Sequence, residues 1–454
     1  MSQVRKLWKL GRKDANTACF DVNRDGELIV KEGNYQYNIF DLVRKVGSPV
    51  EVFLPFILEQ RLEHLFDTLK EQARETGYRG KYYYHYPMKV NQNKEFVLTL
   101  VAEGAHLEVA SSNELWLVQR LWQEENFSSK IRVLCNGPKT PEYLKLIHKL
   151  ADNNLSIVPI VENLDELDLL KDFKGDIGVR INLKTKVKSH WDNKFDRFGL
   201  TSEEILEIGK FRNLKILHYH IGSQIERERD MIAPLTEAFK TYAALKKKNP
   251  SLDTIDVGGG LAVPYEKKRL YKLDRVVNRL LTTMVELSEE AKIAQPNVIV
   301  EWGRYITAPA QFTVYKVVAE KQMEKAPVSS WYIVDGSFMN DLLDTWALHQ
   351  KWHIVPVNGL DAEHRKRVWL AGLSCDADDQ YTASEGYLLM PRMDDMRPGE
   401  DLYIAILDTG AYQDAFASHH CLLGSPTKIV LQNGLLSVAR KKEGPQEIGK
   451  LFGW

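Results

Sequence analysis

The chain has 454 residues, a formal net charge of −1 and 27% charged residues. That length exceeds one ordinary domain, and the balanced charge gives no electrostatic reason to expect nucleic acid or a membrane surface as partner. Hydrophobic residues make up 44%, a globular composition rather than a disordered one, and no apolar run is long enough to span a bilayer. The basic N-terminus, 1–14, has no apolar core of a signal peptide, so the expected address is the cytoplasm. Cys19, Cys135, Cys375 and Cys421 lie far apart without metal-ligand spacing. They are expected to be separate thiols, most of them buried, and not a disulfide framework.

Cys19 to Val22 and Leu28 to Val30 read as two strands around the turn pair Asp25-Gly26. Leu62, Leu65, Phe66, Leu69 and Ala73 keep helical spacing, with Gly77 as the stop. From Lys81 onward strands and helices alternate. Strands are expected at Tyr82 to Pro87, His106 to Val109, Ile131 to Leu134, Ser156 to Val161, Ile177 to Ile181, Lys215 to His220, Thr254 to Val257 and Val298 to Glu301. Ser111 with Glu114, Asn163 with Glu166 and Thr201 with Glu204 carry the capping signature that opens helices between them. Further helices are expected at Pro141 to Leu150, Leu235 to Leu245 and Val276 to Lys292, and a polar loop at Lys184 to Arg197.

Eight strands with intervening helices fit a TIM-like (β/α)8 barrel over 46–307. A doubly wound open sheet fits the same periodicity, which does not report closure. After Thr307 short runs such as Trp331 to Val334, Val368 to Leu370 and Leu402 to Leu407 alternate with turns, clearest at Arg397-Pro398-Gly399 and Asn433-Gly434. This reads as a mainly β domain over 308–454, joined by the N-terminal strands of 1–45.

Polar clusters fall at the carboxyl ends of the expected strands, where parallel α/β folds gather chemistry. Pro87 ends the aromatic strand of Tyr82 to Pro87, because it cannot donate to a ladder, and Lys89 follows it. Among apolar neighbours an amine loses hydration, which favours the neutral form that attacks a carbonyl as a Schiff-base lysine. A surface lysine in a loop is the plain alternative. His218 and His220 alternate onto one face and, with Asp256 and Glu301, could ligate a metal as in a barrel hydrolase. Gly258, Gly259 and Gly260 let backbone N–H groups approach a phosphate, and Arg304 would complete that cradle opposite the Glu301 carboxylate. A lysine amine, a phosphate cradle and an acid together point to pyridoxal phosphate, whose aldehyde, phosphate and ring nitrogen need those three partners.

Eight motifs follow one another along the chain: Phe20-Asp-Val-Asn, Tyr86-Pro-Met-Lys-Val-Asn-Gln92, Leu107-Glu-Val-Ala-Ser, Phe198-Gly-Leu, His218-Tyr-His-Ile-Gly-Ser-Gln-Ile225, Val257-Gly-Gly-Gly-Leu261, Ser374-Cys-Asp-Ala-Asp378 and Gly410-Ala-Tyr-Gln413. Through them the chain resembles the pyridoxal-phosphate decarboxylases of the alanine-racemase-like fold, most closely the biosynthetic arginine branch. The resemblance spans about Phe20 to Leu431. It implies that Lys89 carries the cofactor, that His220 stacks on its ring, and that Glu108 lies near the attachment point. It further implies that Ser223, Gly258 to Gly260, Arg304 and Tyr412 hold the phosphate and that Glu301 faces the ring nitrogen. Cys375 would supply the proton that replaces carbon dioxide, and Asp376, with Asp378, would meet the cationic end of a small amino-acid substrate. Arginine would yield agmatine for polyamine synthesis, and ornithine, lysine, diaminopimelate or carboxynorspermidine-type substrates are the neighbouring alternatives. A homodimer or higher homo-oligomer is implied, with the Cys375 loop entering the partner's barrel. Magnesium enters only through the resemblance, with no ligand set identified. Members of that branch usually carry a helical insertion after the barrel and further C-terminal helices, and neither is expected in this chain. A non-catalytic homologue is a further alternative, against which Lys89, Glu301 and Cys375 all speak.

Overall fold

The computed structural model describes residues 2–125, 130–185, 187–189, 197–266 and 272–454. Much of the expected polar loop, at 186 and 190–196, lies outside the described residues.

Eight parallel strands close a barrel: β1 (Tyr82–Pro87), β2 (His106–Val109), β3 (Arg132–Cys135), β4 (Ser156–Val161), β5 (Ile177–Asn182), β6 (Leu214–His218), β7 (Thr254–Asp256) and β8 (Asn297–Val300). Val298 of β8 sits beside Tyr82 of β1, and that pairing removes the open-sheet alternative. The strands are short and almost wholly buried, as expected when a helix covers one face and barrel side chains fill the other. Capping explains where several helices begin. Thr201 Oγ1 accepts from Glu204 N at 3.2 Å, and Glu204 Oε2 accepts from Thr201 N at 2.8 Å, a complete capping box. At Ser111 only half the box forms, because the Glu114 carboxylate accepts instead from Ala110 N at 2.7 Å and Gln92 Nε2 at 2.8 Å.

The chain up to Leu58 and from Ile306 onward, with a segment beginning at Pro264, forms a second compact unit. Phe20, Val22, Leu28 and Val30 share one buried core with Phe312, Val314, Ala405 and Ile429. Burying each such side chain stabilises by about 2 kcal/mol, which explains why strands so distant in sequence join. This unit extends past residue 45, because Val50–Phe53 is a strand held between Gln311–Gln322 and Thr427–Gln432. Asn433 and Gly434, at φ +53° and +78°, make the tight turn of the hairpin that ends the sheet. Among the described residues of this unit, one lysine is fully buried. Lys428 Nζ donates to Gln311 Oε1 at 2.6 Å and Asp414 Oδ2 at 2.8 Å, and lies 3.1 Å from Glu51 Oε2. A single short helix, Pro445–Leu451, follows the last strand.

Candidate active site

Lys89 stands at the mouth of the barrel because of the residues on either side of it. Pro87 is the last residue of β1, and Met88–Val90 turn at once into a 3-10 helix. Tyr86 Oη donates to Asn91 O at 2.7 Å, and Asn91 Oδ1 accepts from Asn93 N at 3.1 Å, which starts the next helix, Lys94–Ala102. Gln92 reaches Glu114, so Val-Asn-Gln fixes the turn that presents the lysine. Lys89 Nζ donates to Glu108 Oε2 at 2.6 Å, and Glu108 Oε1 accepts from Asn136 Nδ2 at 2.8 Å. The expected apolar cage around this amine is not found: the side chain is 37% exposed and ion-paired. Lys139, after β3, is the lysine that burial does perturb. It donates to Gly137 O at 2.8 Å and to Ile160 O, lies 3.4 Å from Glu166 Oε2, and loss of hydration lowers its pKa.

Beyond β6, His220 Nδ1 accepts from Gly222 N at 3.1 Å. Burial and the Lys89 charge hold its pKa well below the usual histidine value, so the ring is neutral with its proton on Nε2. Gly258 and Gly260 have φ of +66° and +111°. A Cβ on Gly258 would lie 2.5 Å from Tyr219 O, and one on Gly259 would lie 3.0 Å from His220 Nε2, so only glycine fits this turn. Ile225 N donates to Gly260 O at 2.9 Å, joining this turn to the one carrying Ser223. Arg304 Nε then donates to Ser223 Oγ at 3.3 Å, with both residues buried. The result is a backbone-lined cradle beside a buried guanidinium, suited to a phosphate.

Glu301 is buried at the end of β8; among the described residues no donor group reaches either carboxylate oxygen, and the Asp256 carboxyl lies against it, close enough to share a proton. Burial, then Asp256 and Glu108, push its pKa well above the usual carboxylate range. Asp256 Oδ1 accepts from Gly258 N at 2.9 Å, and burial raises its pKa to about 7. His218 Nδ1 lies 3.0 Å from Asp256 Oδ2 outside hydrogen-bonding geometry, and burial lowers its pKa to about 4. The group whose donor atoms converge is therefore His218, Asp256 and Glu301, and not the expected pair of histidines. Unsatisfied buried oxygens are costly, and a cationic ring N–H would satisfy them. Together with the glycine cradle, this donor set fits pyridoxal phosphate.

Cys375, Asp376, Asp378 and Tyr412 belong to the other compact unit. Their loop is organised by Asp379, which no sequence motif had singled out. Its carboxylate accepts from Ser374 N at 3.0 Å, Ser337 Oγ at 3.0 Å and Phe338 N at 2.7 Å. Asp376 Oδ1 accepts from Asp378 N at 2.9 Å. Cys375 is exposed, and its Sγ lies 3.4 Å from that of Cys421, which also raises its pKa. This corrects the expectation of separate and mostly buried thiols: among the four, only Cys135 is buried. Tyr412 has φ +70° and stacks on Phe416 at 5.5 Å. Other residues the sequence did not single out are Asn136, Glu162 and Arg180. Glu162 Oε1 accepts from Gly137 N at 2.7 Å and Oε2 pairs with Arg180 at 3.2 Å, while Phe198 stacks under that guanidinium at 4.5 Å. Asn136 and Glu162 each follow a barrel strand directly, so the strand-end rule applied to every strand would have found them.

A closed barrel whose strand ends gather a lysine, a glycine phosphate cradle and a buried acid is the framework of a pyridoxal-phosphate-dependent enzyme. The profile of the pyridoxal-dependent decarboxylases, pyridoxal-binding domain, matches residues 62–308, more than half the chain. The chain belongs to this family. It is a lyase with pyridoxal phosphate as cofactor. It is 24% identical to a biosynthetic arginine decarboxylase of Bacteroides thetaiotaomicron, over 91% of this chain and 85% of the relative. That alignment runs over 541 positions, more than the chain itself has, so the relative carries internal segments absent here. The fold matches the crystal structure of the biosynthetic arginine decarboxylase of Campylobacter jejuni with a TM-score of 0.84 at 21% identity, covering 100% of this chain and 92% of that one. It also matches a diaminopimelate decarboxylase of M. jannaschii in complex with L-lysine, with a TM-score of 0.79 at 22% identity, covering 95% and 97%.

Proposed function

We propose that this protein removes the α-carboxylate of L-arginine, releasing carbon dioxide and agmatine for polyamine synthesis. The observation that carries the chemistry is Glu301, buried at the end of β8 with no donor group on either oxygen among the described residues. The choice of arginine rests on the named activity of the Bacteroides thetaiotaomicron relative.

Bound pyridoxal phosphate supplies a sink for the electron pair left at Cα when the carboxylate departs. In this reading Lys89 is the attachment lysine, oriented by Glu108. Gly258, Gly259, Gly260, Ser223, Arg304 and Tyr412 hold the phosphate, and neutral His220 covers the ring without adding charge. Glu301 keeps the ring nitrogen protonated, since its carboxylate is stabilised once a cation faces it. Cys375 returns a proton to Cα. Its neighbour Cys421 raises the thiol's pKa, which keeps that proton available at neutral pH. Asp376 accepts from the substrate guanidinium, whose planar fork matches a carboxylate, and Asp378 adds negative charge beside it. The proposed unit is a cytoplasmic homodimer in which Cys375 and Asp376 serve the partner's barrel. No helix among the described residues is long and apolar enough to cross a membrane.

A second reading keeps the chemistry and changes the substrate to lysine, ornithine or diaminopimelate, favoured by the likeness to the M. jannaschii enzyme. Carbon dioxide release from carboxyl-labelled arginine, ornithine, lysine and diaminopimelate separates the two. Arginine should give the highest kcat/KM. A higher value for another member of the panel would overturn the assignment to arginine, and no release from any would overturn the decarboxylase reading.

A further inference from the structure

Two cysteines 46 residues apart meet on the surface of the β unit together with a histidine and an aspartate. Cys375 Sγ and Cys421 Sγ are 3.4 Å apart, and one donor atom of each, with one of His420, lie within 4.8 Å of one another. His420 Nε2 is 3.8 Å from Asp376 Oδ2. We propose that Cys375, His420 and Cys421 form a binding site for a thiophilic divalent cation of the zinc type, with a solvent molecule in the fourth position and Asp376 beside His420.

The spacing fits this chemistry. Zinc–sulfur and zinc–nitrogen bonds of roughly 2.3 and 2.0 Å in a tetrahedron separate neighbouring donors by roughly 3.3 to 3.8 Å. Two sulfurs on one zinc take the upper end of that range, so the 3.4 Å pair would part by a few tenths of an ångström on binding, and it is already far longer than the roughly 2.05 Å of a disulfide. Two thiolates and an imidazole are a donor set that zinc accepts, with the fourth position open. Both loops are pinned from beneath. Asp379 ties down Ser374, next to Cys375, and Asn340 Nδ2 donates to the backbone carbonyl of His420 at 2.8 Å. Cys421 and Leu422 are both left-handed, at φ +55° and +53°, which turns the chain back toward Cys375. L-residues rarely adopt this conformation in succession, and such conformations persist where surrounding contacts enforce them.

Binding converts both thiols to thiolates, with two protons released to solvent and no change of oxidation state, so affinity rises with pH. A cation on Cys375 also takes away the proton this thiol would return to Cα. Inhibition by zinc therefore rests on the proton-donor reading given above, whereas the binding site does not.

The test uses reduced, chelator-treated, cofactor-loaded protein, titrated with Co²⁺ alone and then with Zn²⁺. Wild type should take one Co²⁺ per chain, with a near-ultraviolet sulfur-to-cobalt band and tetrahedral visible bands that Zn²⁺ abolishes. Cys421→Ser should weaken binding at least about tenfold, since even changes beyond the direct ligands reach that size. The Zn²⁺ concentration that halves activity, referred to each variant's own rate, should rise by the same factor. No thiolate band in wild type, or equal affinity in Cys421→Ser, would overturn the site. Binding as expected with decarboxylation untouched would leave the site standing and overturn the proton-donor role of Cys375.

Discussion

Replacing Glu301 by glutamine keeps the shape of the side chain and removes its charge. In water the change would be mild, but here the carboxylate is buried and no donor group among the described residues reaches either oxygen. An ion pair at about 4 Å, at an effective dielectric near 20, is worth roughly 4 kcal/mol. A neutral amide oxygen can still accept from a ring N–H, which recovers about a quarter to a half of that at ordinary hydrogen-bond strengths of roughly 1 to 2 kcal/mol. The net loss of about 2 to 3 kcal/mol falls on the sink that develops during decarboxylation. It should lower kcat about 30- to 200-fold. The phosphate cradle is built from other residues, so cofactor occupancy, read from visible absorbance, should be unchanged. Burial penalises the Glu301 charge in the protein without cofactor, so Glu301→Gln should leave its Tm the same or higher. A kcat within threefold of wild type at equal occupancy would remove Glu301 from the mechanism. A drop that follows cofactor loss would mean that Glu301 only anchors.

Lys428→Met strands the buried carboxylates of Glu51 and Asp414 and should cost about 3 to 5 kcal/mol in denaturant unfolding. A loss under 1 kcal/mol would show that Arg440 alone neutralises them. Burial lowers the pKa of His353 to about 4, and its Nε2 donates to Trp8 O at 2.9 Å. Between pH 6.5 and 4 the unfolded chain therefore binds a proton that the folded chain does not, so stability falls as pH falls through that window. His353→Gln, which keeps a donor, should lose about 2 kcal/mol less than wild type between pH 7.5 and 5, and parallel stability curves would contradict this. Finally, Lys89→Ala and Cys375→Ala chains, each inactive, should regain roughly a quarter of wild-type activity when mixed and allowed to exchange at random. No recovery despite demonstrated exchange would refute a site shared between two subunits.

The barrel was legible in the sequence because its strands are short, buried runs punctuated by caps and glycines. Its closure was not, since the Val298–Tyr82 pairing joins residues 216 positions apart (298 minus 82) that periodicity does not connect. The β unit was read less completely. Gln311–Gln322, its central strand, is buried for the first half and exposed for the second, so charged residues at Lys316, Glu320 and Lys321 blur the pattern. Lys428 reads as a surface residue until Glu51 and Asp414 arrive from distant parts of the chain. At the site, glycines and strand-end residues were found because backbone geometry restricts which residues fit there. The expected environment of Lys89 was wrong in kind: a salt bridge to Glu108, not an apolar cage, holds the amine. Cys421 was passed over because its neighbour Cys375 lies 46 residues away.

Two lysines at the strand ends now compete on physical grounds. Lys139 has the buried, depressed amine that desolvation favours, whereas Lys89 has the exposed position and the orienting carboxylate. Borohydride reduction of the cofactor-loaded protein, followed by digestion and mass spectrometry, marks the lysine that holds pyridoxal phosphate. The mark should fall on Lys89 alone and vanish in Lys89→Ala. A mark on Lys139, or one that persists in Lys89→Ala, would contradict the assignment on which the whole site is built.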